Sequence, residues 1–154
     1  MPAKMKYSQD NLWQIEQAGF DHLLLGKTEA IMALGNGYLG TRSAEEESYV
    51  AEQRDTLVAG TFNAFHPTEV TELPNAPDMW AMQFTISGAV LSLIQGTVSD
   101  YSKRLDLRTG ELTREFGWEY EGATSSSPSA ASCRRRDATS WPASSPSRTS
   151  GATT

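Results

Sequence analysis

Gly35-Asn36-Gly37-Tyr38-Leu39-Gly40 matches the G-x-G-x-x-G pattern of dinucleotide-binding loops, and Asp55 stands 20 residues after Gly35. That chemistry has a mechanical requirement. The first glycine must end a buried strand, the third must open a helix under the pyrophosphate, and the acid must close the next strand. Here the apolar run before Gly35 is only Ile31–Leu34, and Asp55 precedes the next strand-like run, Thr56–Ala59. The string therefore reads as a tight loop of a β-protein whose glycines permit positive φ. His22 and His66 are isolated, without the His-x-x-x-His or Glu-His spacing of a metal site, and read as surface or capping residues. Glu16, Glu29, Glu72 and Asp106 are carboxylates of the type that flank a sugar bond, but linear spacing does not pair them. Trp13, Trp80 and Trp118 have rings that could stack on a sugar; their apolar neighbours favour core packing. No residue is assigned a catalytic, cofactor-binding or metal-binding role on this basis.

The elements that would position these residues fall in the first four-fifths of the chain. From Met79, Trp80, Met82, Phe84 and Ile86 alternate with Ala81, Gln83, Thr85 and Ser87, which predicts a half-buried strand over 79–87. Ser87-Gly88 then turns the chain into Ala89–Ile94 as a hairpin. A second hairpin is expected from Arg104–Leu107 and Glu111–Tyr120 around Arg108-Thr109-Gly110, with Leu112, Phe116, Trp118 and Tyr120 on one face. His22–Leu34 reads as Leu23-Leu24-Leu25, a Gly26-Lys27 turn and a further apolar run. Ser43–Asp55 is the one plausible helical stretch, although Glu45-Glu46-Glu47 marks it as an exposed loop. Short strands separated by glycines, without a convincing amphipathic helix, predict a mainly β fold, a partial antiparallel β-sandwich.

Composition divides the chain near residue 122. Residues 122–154 contain ten Ser, six Ala, five Thr, four Arg and three Pro, with Trp141 as the single large apolar side chain. Such a segment cannot bury enough surface to offset its conformational entropy and is expected to be disordered. Arg134-Arg135-Arg136 within it reads as a solvated run rather than a nucleic-acid arm. TCN serine codons read one base earlier encode Phe, Leu, Ile or Val, so Ala123–Ser129 can conceal a strand-like string. The tail is accordingly expected to be a frameshifted continuation, with residues 1–121 an incomplete N-terminal β-sandwich domain. With 13 Lys and Arg against 19 Asp and Glu, the net charge of −6 argues against nucleic-acid binding. The single cysteine excludes an internal disulfide and a thiolate zinc site. No apolar run approaches membrane-spanning length and no signal-peptide pattern leads the chain, so a cytoplasmic protein is expected.

Several segments in order resemble the N-terminal domain of glycoside hydrolase family 65. They are Trp13-x-x-Glu16, Glu29, Leu34–Arg42, the acidic Glu45-Glu46-Glu47, Gly60-Thr61-Phe62-Asn63, Glu72–Pro77 and Leu105–Leu112. The resemblance spans residues 7–121. It implies an antiparallel β-sandwich followed in the parent enzyme by an (α/α)6 barrel that carries the general-acid Glu and the phosphate-binding residues. It also implies inverting phosphorolysis of an α-linked glucose disaccharide to β-glucose 1-phosphate, with inorganic phosphate as co-substrate and no metal or organic cofactor. A homodimeric parent is part of the same implication. None of the barrel's motifs occurs here, so no catalytic residue is carried over and the chain by itself is expected to be inactive. The alternative is a stand-alone carbohydrate-binding or interaction module.

Overall fold

The computed structural model describes residues 4–7, 12–64, 66–120 and 133–136. The fold is mainly β and its sheets are antiparallel, as expected. In chain order the elements are β1 (Lys4–Tyr7), β2 (Gln14–Ala18), a 3-10 turn at His22–Leu24, α1 (Leu25–Ile31), β3 (Leu34–Gly35) and β4 (Leu39–Thr41). They continue with β5 (Thr56–Val58), β6 (Thr85–Ile86), β7 (Ala89–Val90), β8 (Thr97–Asp106), β9 (Glu111–Glu119) and β10 (Cys133–Arg136). The largest sheet has the order β1-β2-β8-β9-β10; β3-β4-β5 and β6-β7 form two smaller sheets. Among the described residues, no helix is long and apolar enough to cross a membrane.

The β8–β9 hairpin is the backbone of the structure. Its register pairs Leu105 with Leu112, Lys103 with Arg114 and Val98 with Trp118, with a bulge between Ser99 and Ser102. Alternation sends Tyr101, Lys103 and Leu105 inward from β8, and Leu112, Arg114, Phe116 and Trp118 inward from β9. The expected face of β9 is thus present, with a cation in its middle. One core cluster joins Tyr101, Phe116 and Trp118 to Leu25 of α1, Tyr49, Leu91 and Leu93. A second joins Leu105 and Leu112 to Met32, with Met5, Ile15 and Leu34 packed against it.

Three expectations are corrected. The strand over 79–87 shrinks to β6, because the Asp78 side chain turns the chain by accepting the Trp80 amide at 2.9 Å and Met82 N–H donates to the Glu46 carbonyl at 2.9 Å. Gly26 and Lys27 are not a turn but lie inside α1, whose buried side Leu25, Thr28 and Glu29 define. The segment 43–55 is neither a helix nor an exposed loop. It is irregular, and Glu45, Glu46 and Glu47 are all buried, at 1%, 4% and 5% exposure. Within the C-terminal tail, Cys133–Arg136 pairs with β9 along Arg114–Glu111. The open edge of β9 offers backbone donors and acceptors that an extended segment can satisfy without an apolar side chain. The rest of the tail expectation, over 122–132 and 137–154, lies outside the described residues.

Gly35–Gly40 is the tight loop its glycines suggested. Asn36 Oδ1 accepts the amides of Tyr38 and Leu39, and Gly37 takes φ 82°. The third glycine, Gly40, lies in β4 rather than at a helix start, which removes the mechanical basis of a dinucleotide site.

Candidate functional site

The charge-bearing centre of the molecule is built on the Lys103–Arg114 cross-strand pair. Two cations on the inward face of a hairpin need anions, because an unpaired buried charge is costly. Loop 43–54 supplies them. Arg114 places Nη1 on Glu45 Oε2 and, at 3.0 Å, on Glu47 Oε1; its Nη2 reaches Glu47 Oε2 at 2.6 Å and Glu46 Oε2 at 2.9 Å. Lys103 Nζ donates to Glu45 Oε1 at 3.0 Å and to the Ser43 carbonyl at 2.5 Å. Tyr101 OH donates to Glu45 Oε1 and Tyr49 OH to Glu47 Oε1, each at 3.0 Å, while the Leu93 amide donates to Tyr49 OH at 2.8 Å. The guanidinium also lies 4.8 Å from the Phe116 ring centroid.

Electrostatics follow from this packing. Burial raises the Glu45 carboxyl, but Lys103 and Arg114 outweigh it and hold the group at about 2. Burial, reinforced by Glu45 and Glu47 respectively, pushes the hydroxyls of Tyr101 and Tyr49 above the ordinary phenol range. Burial works against the Arg114 cation, and the glutamates more than restore it. Glu45 stays anionic, Arg114 stays charged and both tyrosines stay protonated. The cluster fastens a loop to a hairpin.

The carboxylates singled out by type are spread through the fold, each with its own partner. Glu29 in α1 pairs with Arg42 at 2.9 Å and accepts the Gln53 amide. Glu16 in β2 faces Arg104 at 3.6 Å. Glu72 is exposed, its backbone bridged to Asn63. Asp106 caps the β8–β9 turn, where the amides of Arg108 and Thr109 lower its pKa. His22 is exposed, and His66 Nδ1 is 2.8 Å from Thr68 Oγ1. Among the described residues no three of His, Cys, Asp and Glu are placed to hold a metal ion. Trp118 is core, with Nε1 donating to the carbonyls of Ser92 and Gln95. Trp80 is half-buried, and Trp13 is 47% exposed with Arg108 over its ring at 5.1 Å.

The family model of the glycosyl hydrolase family 65 N-terminal domain matches residues 15–127, a span holding α1, the acidic loop and the whole β8–β9 hairpin. The chain belongs to glycosyl hydrolase family 65. Among curated members, it is similar to the kojibiose phosphorylase of Halothermothrix orenii (43% identity, 70% of this chain, 14% of the relative). It is also similar to that of Escherichia coli (36%, 68% of this chain, 13% of the relative). The alpha,alpha-trehalose phosphorylase of Thermoanaerobacter brockii is 27% identical, over 70% of this chain and 16% of the relative. The chain thus spans about a seventh of the length of these relatives. A human-microbiome structure bearing the kojibiose phosphorylase name superposes with a TM-score of 0.66 at 22% identity, over 77% of this chain and 17% of that one, and shares the fold.

Proposed function

We propose that this family 65 domain serves a disaccharide phosphorylase that transfers glucose from an α-linked disaccharide to inorganic phosphate with inversion, giving β-glucose 1-phosphate. The observation that carries the reading is the family match over 15–127, with relatives named for kojibiose and trehalose phosphorolysis. Inversion requires an acid on one face of the glycosidic bond and a nucleophile on the other. Glu16, Glu29, Glu45, Glu46, Glu47 and Asp106 are committed to ion pairs or turn contacts, which supports a structural role here and a catalytic role for another part of the enzyme. Phosphate would be the co-substrate, with no metal or organic cofactor, in a cytoplasmic homodimer. The exposed Phe62, Val70, Leu73 and Met79 fit the same reading, since a domain within a larger enzyme keeps apolar surface for its neighbours.

A chimera tests it. Residues 15–120 replace the matching segment of the Halothermothrix orenii kojibiose phosphorylase, and glucose 1-phosphate release is measured with kojibiose, trehalose, maltose and nigerose. Phosphorolysis by the chimera and none by the present chain alone is the expected pair of results. Turnover by the chain alone, or a folded but inert chimera, overturns the reading.

A further inference from the structure

The ion cluster extends beyond Arg114. The Glu52 side chain, 1% exposed, accepts the Glu45 amide at 2.6 Å and lies 3.3 Å from Arg54 Nη1. Arg54 donates to the Glu45 carbonyl at 2.5 Å, approaches that of Glu46 at 3.5 Å and pairs through Nε with Asp78. Two sets of ion pairs, Glu52 and Asp78 on Arg54 and Glu45, Glu46 and Glu47 on Lys103 and Arg114, are joined by hydrogen bonds to the Glu45 and Glu46 backbone, which makes five carboxylates around three cations. A buried group with surplus negative charge takes up a proton where its cations are weakest. Lys103 and Arg114 are occupied by Glu45, Glu46 and Glu47, whereas Arg54 is divided between Glu52 and Asp78. Glu52 is the natural site for that proton.

Asp78 opens the 78–84 segment, which has two anchors on loop 43–54. One is Arg54–Asp78, and the other is the Met82 amide on the Glu46 carbonyl. We infer that Glu52 is a proton-operated latch: protonated, it leaves the Arg54 guanidinium to Asp78 and keeps the 78–84 segment seated; ionised, it competes for the guanidinium and loosens that segment. The charges facing Glu52 are Glu45 and Arg54 from its own loop and Lys103 from β8; Arg114 acts through Glu45, and Asp78 through Arg54. Burial foremost, with the Glu45 carboxylate, pushes Glu52 up to about 7 against the Glu45 amide, Arg54 and Lys103. Because the folded value lies above the unfolded reference of 4.5, the folded state holds the extra proton between those two values. Stability from this group therefore falls as pH rises through that window, and the whole penalty is present above it.

The test uses the full chain in dilute solution with carbon-13-labelled glutamate carboxyls, and reads hydrogen-exchange protection of the Trp80 and Met82 amides corrected for intrinsic rates. One carboxyl signal should titrate near neutrality and vanish in Glu52→Gln. Protection at both amides should fall by roughly tenfold between about pH 6 and pH 8.5 in the unsubstituted chain and stay flat in Glu52→Gln. Asp78→Asn should lower protection at both pH values and move the Glu52 titration downward, because Arg54 is then no longer divided. A Glu52 carboxyl that titrates below about pH 5 overturns the latch, as does an unchanged pH response in Glu52→Gln. An unfolded Glu52→Gln chain also overturns it, because the amide imitates the seated, protonated form.

Discussion

The β8–β9 hairpin and the segment from Ala59 to Phe84 are ordered by different means. In the hairpin, the inward side chains of Tyr101, Lys103, Leu105, Leu112, Arg114, Phe116 and Trp118 are all buried, and the two cations among them meet their anions. In the segment, Phe62, Val70, Leu73 and Met79 are 58–87% exposed. Polar ties nevertheless shape that backbone. Asn63 and Glu72 exchange amide bonds at 2.9 and 2.8 Å, Asn75 Oδ1 accepts the Thr56 amide at 2.7 Å, and Arg54 holds Asp78. One region is fixed by what it buries, the other by what its backbone and polar side chains bond to. Loss of a single partner should therefore be severe in the first region and mild in the second.

The largest effect should come from Arg114→Leu, which leaves Glu45, Glu46 and Glu47 buried against Lys103 alone. Its cost should be about 3–5 kcal/mol, read as a lower urea midpoint or outright loss of the folded state. Acid should act on the same centre. Glu45 is held at about 2 against a reference of 4.5, so its stabilisation is complete above the higher value and lost as pH falls toward the lower one. That loss is on the order of 3 kcal/mol, and Glu45→Gln should start destabilised and flatten the acid limb of the stability curve. An acid limb that Glu45→Gln leaves unchanged would remove the electrostatic account of the hairpin region.

Gly37→Ala isolates backbone strain, since φ is 82° and no atom lies within 4 Å of the added Cβ. It should cost about 1 kcal/mol in thermal or urea unfolding. The smallest stability effect belongs to Phe62→Ser with Leu73→Ser. Within about 0.5 kcal/mol the melting curve should stay put, while sedimentation of the isolated chain should show less self-association. A large drop in stability from that pair would show that the exposed segment is held by its apolar side chains after all.

The contrast also explains what could be read from residue order. The hairpin around Arg108-Thr109-Gly110 was legible because its period of two survives from Tyr101 to Trp118. Gly35–Gly40 was legible as a loop because the apolar run before it is only Ile31–Leu34 and Asp55 precedes the next strand. The acidic triple was misread. Three adjacent glutamates look solvated until the hairpin register puts Lys103 opposite Arg114 and turns both inward, a signal present in the alternation but readable only by pairing the strands. The 79–87 alternation failed for the reverse reason, since side-chain periodicity does not reveal that Met82 N–H bonds to Glu46 instead of a neighbouring strand.

The ion cluster also sets an order of events during synthesis. Glu45 leaves the ribosome 58 residues before Lys103 and 69 before Arg114. At roughly 5–20 residues per second, the acidic loop waits several seconds for its counter-charges. Through that interval three adjacent carboxylates cannot be buried and remain hydrated. Hydrated, they oppose burial of loop 43–54 until the strand that carries Arg114 has been made.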